Sequence, residues 1–85
     1  MTNDEAANLL RNAITHVAPD VDPSEAEPDE DLWFALDLDS MDQLNVMIAI
    51  RDRSGIDVPE ADYPKLATMA SSIAYLTAAA AGSTT

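Results

Sequence analysis

The sequence predicts an all-α fold: a small bundle of three main helices, a short extra turn before the last, and a long acidic first loop. Three observations carry that prediction. Apolar residues recur at intervals of three and four in three separate stretches. Prolines cluster between those stretches, where they end helices rather than interrupt them. The acids crowd into the segment Asp20 to Asp31, ahead of an almost wholly apolar run. At 85 residues the chain is expected to form one domain, 1–85, with its core over about 4–80. It has no cysteine, so neither disulfides nor a thiolate metal site can staple it. Stability must come from helix packing.

The first helix is expected over residues 4–17, where Ala6, Leu9, Leu10, Ala13, Ile14 and Val17 form an amphipathic stripe. Asn3 or Asp4 is the expected cap, and Pro19 marks the end. From Ala18 to Asp39 the chain reads as a long loop punctuated by Pro19, Pro23 and Pro28. Acid runs with prolines ordinarily mark a linker. Leu32, Trp33, Phe34, Leu36 and Leu38 are more than a linker needs, and they are expected to pin this loop to the core. A loop of that length inside a compact domain tends to be functional.

The second helix is predicted from Ser40 to Ser54, with Gly55 as its stop. Its apolar residues are too many for one stripe. Val46, Met47 and Ile50 suit the core, while Met41, Leu44 or Asn45, and Ile48 share another face. In so small a domain that second face reads as a docking surface. Ile56-Asp57-Val58-Pro59 is an extended connector. Glu60 to Lys65 has room for at most one turn, since Pro64 interrupts it. The last helix is expected over Leu66 to Ala79, with Leu66, Met69, Ile73 and Leu76 on its apolar side, and residues 82–85 as a loose tail.

Charge narrows the function classes. Sixteen acids stand against four bases, Arg11, Arg51, Arg53 and Lys65, for a net −12 with the histidine neutral. That field repels nucleic acid and anionic lipid and favours partners with basic patches. The first residues lack the basic and apolar regions of a signal peptide, and the alanine-rich last helix is too short and too polar to span a bilayer. The expectation is a cytoplasmic monomer that binds neither membrane nor nucleic acid.

Ser40 is the leading candidate site. It lies where the acidic loop meets the second helix, so its hydroxyl is held at a positive helix N-terminus with carboxylates on both sides. No base is at hand to make it a nucleophile, whereas a phosphodiester on its oxygen would be favoured there. The plain structural alternative is a cap: Ser40-Met41-Asp42-Gln43 fits a capping box, and Asp39 fits the cap equally well. Other sites fall away. Asp37-Leu38-Asp39 begins like a calcium loop, but Asp42 stands at the required glycine and Ile48 at the bidentate glutamate. The single histidine, His16, ends the first helix, and no serine sits in a G-x-S-x-G elbow. Trp33 and Phe34, on a segment expected to be extended, point opposite ways, one inward and one toward the loop or a partner.

Leu36-Asp37-Leu38-Asp39-Ser40-Met41-Asp42 resembles the L-G-x-D-S-L-D signature of the acyl carrier proteins. The likeness runs from about Leu32 to Leu76, and Ile56-Asp57-Val58-Pro59 resembles the family's I-P connector. The resemblance implies that a phosphopantetheinyl transferase attaches 4′-phosphopantetheine from coenzyme A to Ser40, and that the arm's thiol carries an acyl thioester. Asp39 would help orient the transferase's metal and coenzyme A. The docking face for acyl-loading and acyl-processing enzymes would comprise Met41, Asp42, Leu44, Asn45, Ile48 and Arg51. The chain itself would catalyse nothing.

Departures from the family pattern carry information. Asp37 stands at the common glycine, a position aspartate tolerates better than most residues. Met41 replaces leucine. Arg51 and Arg53 lie on a helix that is acidic throughout in housekeeping fatty-acid carriers, and Asn45 stands where those often have glutamate. They point to a specialised fatty-acyl or polyketide-type pathway. A peptidyl carrier, or an unmodified interaction module with Ser40 as a simple cap, is the alternative.

Overall fold

A computed structural model describes residues 1–82. They form α1 (Asn3–Val17), a 3-10 turn (Pro23–Glu25), a one-turn helix α2 (Leu32–Ala35), α3 (Ser40–Ser54), a 3-10 helix (Glu60–Leu66) and α4 (Met69–Gly82). The three main helices are therefore α1, α3 and α4. Among the described residues the extended contact is a single antiparallel bridge between Asp31 and Thr68. No described helix is long and apolar enough to cross a membrane. Gly82 closes α4 instead of opening a tail, and the remaining tail positions lie outside the described residues.

α1 starts one residue earlier than expected because Thr2, not Asn3 or Asp4, is its cap. The Thr2 hydroxyl accepts from the Glu5 backbone N–H at 3.1 Å, and the Glu5 carboxylate accepts from the Thr2 N–H at 2.9 Å. This reciprocal pair satisfies two donors that a bare helix end leaves open. The bonds from Thr2, the backbone one foremost, hold the Glu5 carboxyl below its ordinary value. Ala6, Leu10, Ala13 and Ile14 are fully buried. Through that stripe α1 packs against both α3 and α4.

The segment expected as a structureless loop carries two short helical turns. Asp22 caps the first by accepting from the Ser24 N–H at 3.0 Å, and Asp31 caps α2 by accepting from the Phe34 N–H at 3.0 Å. Leu32, Trp33, Leu36 and Leu38 are buried as predicted, but Phe34 is 86% exposed. The pair Trp33–Phe34 diverges because it lies on a helical turn, where neighbours point about 100° apart, and not on an extended segment. Backbone bonds add to the pinning. The Trp33 indole donates to the Leu66 carbonyl at 3.0 Å, Leu32 N–H to Ala67 at 2.7 Å, and Ala70 N–H to Pro28 at 3.0 Å.

Two boundaries near the C-terminus also move. The turn expected over Glu60–Lys65 extends to Leu66 as a 3-10 helix with Pro64 inside it. Proline's fixed φ suits that helix, and its missing N–H forfeits only one bond. Leu66 therefore belongs to this element, and α4 begins at Met69. Thr68 sets the start: its hydroxyl accepts from Ser71 N–H at 3.0 Å while the Ser71 hydroxyl accepts from Thr68 N–H at 3.1 Å.

Candidate functional site

The approach to Ser40 is built by a tight reversal. Asp37 takes a left-handed backbone, φ 55°, as its place at a common glycine predicted. Asp37 N–H donates to the Phe34 carbonyl at 3.1 Å and Leu38 N–H to the Trp33 carbonyl at 2.8 Å. Leu38 is then buried, which fixes where α3 begins.

Asp39 wins the capping position that the sequence left open between it and Ser40. Its Oδ1 accepts from the Asp42 N–H at 2.9 Å, and the Asp42 carboxylate accepts from the Asp39 N–H at 3.3 Å. A carboxylate there also places full negative charge against the helix dipole, which a serine cannot do. Ser40 is thus released from capping, and the Ser40–Gln43 box does not form. As the first residue of α3 it is exposed, and its hydroxyl has no partner among the described residues. The backbone N–H groups of Ser40 and Met41 are likewise unpaired, so two donors face the same water as the hydroxyl.

Along α3 the predicted division of faces is present. Val46, Met47, Ala49 and Ile50 are buried. Met41 is 62% exposed, and Leu44 and Ile48 are 38% exposed each. Asn45 and Arg51 are exposed beside them. Asp42, also expected on this face, is half-buried and occupied in capping. The Arg51 guanidinium lies 3.9 Å from Asp52, both in water, a separation that leaves it available to a partner.

Clefts flank this strip on both sides. One of about 280 Å³ lies between α1 and α3, lined by His16, Asn45, Ile48 and Asp52. A second, about 250 Å³, opens between Leu44, Ile48, Val58 and Tyr63. A third, about 460 Å³, runs from Ser40 and Met41 to Glu60, Tyr63 and Pro64. Ile48 stands at the divide between the first two and Leu44 between the latter two. Tyr63, which sequence reasoning did not single out, lines both clefts on its side. Its signal was an aromatic in the middle of the extra turn.

The turn that carries Tyr63 is tied down at Asp62. The Tyr75 hydroxyl donates to Asp62 Oδ2 at 2.7 Å, and Lys65 Nζ lies 3.2 Å from Asp62 Oδ1. These bonds, Tyr75's first, hold the Asp62 carboxyl below its ordinary range. Partial burial, reinforced by the Asp62 carboxylate, pushes the Tyr75 phenol up to about 12.

A family model for the phosphopantetheine attachment site matches residues 8–76. The chain is 29% identical over 75 residues to the meromycolate extension acyl carrier protein of Mycolicibacterium smegmatis, covering 88% of this chain and 75% of that one. It is 29% identical over 56 residues to the protein of the same name from Mycolicibacterium aurum, covering 66% of this chain and 58% of that one. The Mycobacterium tuberculosis protein of that name matches over 56 residues at 29% identity, 66% of this chain and 49% of its own length. Against these last two the chain spans about half the relative's length. No solved structure matches the chain significantly. The matched span takes in α3, its unencumbered first serine and both flanking turns, and over that span the chain belongs to the phosphopantetheine attachment site family, whose group is 4′-phosphopantetheine.

Proposed function

We propose that Ser40 is the attachment residue and that the chain is an acyl carrier serving a specialised fatty-acyl pathway. The observation that carries this reading is the release of Ser40. Asp39 and Asp42 do the capping, so the serine hydroxyl and two backbone donors are left exposed together at the start of a fifteen-residue helix. Attachment forms a bond from the Ser40 oxygen to the phosphorus of coenzyme A's pantetheine phosphate. The pyrophosphate bond breaks, adenosine 3′,5′-bisphosphate leaves, and the serine proton passes to the transferase. The phosphodiester then gains from the unpaired N–H groups and the helix dipole. Asp39 keeps Oδ2 free while Oδ1 caps, so one oxygen can face the transferase's metal. Once attached, the arm supplies a thiol that holds an acyl group as a thioester.

The exposed strip Met41, Leu44 and Ile48, with Asn45 and Arg51 beside it, is the surface that partner enzymes cover. Its acidic surroundings suit partners with basic patches, and a monomer leaves it accessible. The relatives' name, meromycolate extension, supports extension of a long acyl chain as the setting.

The test is incubation with coenzyme A and a phosphopantetheinyl transferase of broad specificity, read by intact mass. The wild-type chain should gain the mass of one phosphopantetheine, and Ser40→Ala should gain none. No gain with several transferases would favour the unmodified interaction module. A gain that survives Ser40→Ala would move the site elsewhere.

A further inference from the structure

Phe34 is the least accounted-for residue of the fold. It is 86% exposed in a helical turn whose other large side chains, Leu32 and Trp33, are buried. It therefore contributes little to the core while presenting a whole aromatic ring to water. Single exposed apolar residues are common. This one differs in how it is held and in what surrounds it. Its N–H donates to the Asp31 carboxylate at 3.0 Å, and its carbonyl accepts from the Asp37 N–H at 3.1 Å. One exposed carboxylate, Asp31, is thus bonded to the backbone that carries the ring, and the exposed Asp37 is bonded to it through its main chain, with Asp29, Glu30 and Asp39 close in sequence. Between Arg11 and Arg51 the chain has no lysine or arginine. The result is one exposed aromatic on a hydrogen-bonded turn, with acids on both sides of it in the chain.

We propose that Phe34 is the hydrophobic anchor for the phosphopantetheinyl transferase, entering an apolar pocket on that enzyme rimmed by lysine or arginine. This rests on Ser40 being the attachment residue. The transferase is the occupant because of where Phe34 sits. The bonds Phe34–Asp37 and Trp33–Leu38 fold the chain back so that the aromatic turn leads directly into the start of α3. Enzymes that work on the acyl group cover the α3 strip but meet the reacting atoms at the far end of a long arm. The transferase must bring its own active site to the Ser40 oxygen and so must cover the ground beside it. The ring gives area at low entropic cost, and the surrounding carboxylates give orientation and on-rate. This anchor precedes Ser40 in the chain, whereas the strip Met41, Leu44 and Ile48 follows it along α3.

Steady-state modification of the wild-type chain by a transferase that accepts it, with coenzyme A and intact-mass readout, tests this. Phe34→Ala should raise KM for the carrier about 10-fold with kcat changed less than about twofold, as loss of an interface anchor does. Phe34→Leu should recover most of the loss. Asp37→Asn, which keeps a residue suited to positive φ, should flatten the rise of KM with salt. Helicity and melting temperature of Phe34→Ala should match the wild type. KM unchanged in Phe34→Ala, or a fall in kcat alone, overturns the anchor while leaving Ser40 as the attachment residue. Failure to modify the wild-type chain at all overturns the attachment reading and this inference with it.

Discussion

Ser72 is the one described residue whose buried polar atom has no partner. Its side chain is fully buried on α4, and its hydroxyl makes no hydrogen bond. A buried hydroxyl left without a bond costs about 1–3 kcal/mol, and alanine is also the better helix former. Ser72→Ala should therefore stabilise the domain by about 1 kcal/mol, read as a higher urea midpoint with an unchanged slope. A lower midpoint would mean the hydroxyl is satisfied in solution. Single residues show where the sequence was legible and where it was not. The burial of Leu32, Leu36 and Leu38 follows from residue type, and the left-handed turn at Asp37 from its place at the glycine of the resembled signature. The choice between Asp39 and Ser40 as cap does not, because both side chains can bond the third N–H. It is decided by which residue the buried Leu38 leaves in extended backbone just before the helix. Thr2 and Thr68 are different: each has its reciprocal partner three residues on, a readable signal obscured by equally plausible neighbours.

At the scale of elements, the 3-10 helix Glu60–Leu66 is the piece least encoded by local sequence. Runs of this length are uncommon because the bond geometry is poor. This one is held from outside, by Trp33 on the Leu66 carbonyl and by Tyr75 on Asp62. Such contacts join residues thirteen and thirty-three apart, so no window of sequence around Pro64 reveals them. The main helices are the opposite case: their three-and-four periodicity is local, α3 keeps its expected bounds, and only the ends of α1 and α4 shifted. The Tyr75–Asp62 tie also makes a pH prediction. Asp62 has a folded value depressed below the ordinary 3.8, so its contribution is present above that value and lost as pH falls through the folded one. Tyr75 has a folded value raised from 10.0 to about 12, so its contribution is present below 10.0 and lost as pH rises toward 12. The melting-temperature gap between wild type and Tyr75→Phe should thus be level from about pH 5 to pH 9 and close at both extremes. A gap that persists at pH 12 would show that packing, not the hydrogen bond, separates the two proteins.

For the whole molecule, charge sets the conditions under which the bundle is stable and its docking face usable. A net −12 on 85 residues, with no lysine or arginine between Arg11 and Arg51, leaves the acids of the loop and of α3's start without a compensating base near them in sequence. Compaction brings these charges closer than the unfolded chain holds them, so the folded state carries the larger repulsion. The screening length falls from about 10 Å at 0.1 M salt to about 3 Å at 1 M, below the spacing of most surface charges. Added sodium chloride should therefore raise the melting temperature. For a domain of this size each gain of about 1 kcal/mol lifts Tm by about 4–8 °C. The same salt weakens attraction to basic partners, so stability and modification rate by the transferase should move in opposite directions across one titration. That opposition separates the two roles of the acids. A Tm flat with salt alongside a falling rate would mean that the carboxylates are spaced widely enough not to strain the fold and act on partners alone. A rate flat with salt would remove charge from the recognition of Ser40 and leave the exposed apolar side chains, Phe34 before it and Met41, Leu44 and Ile48 after it in the chain, to account for it.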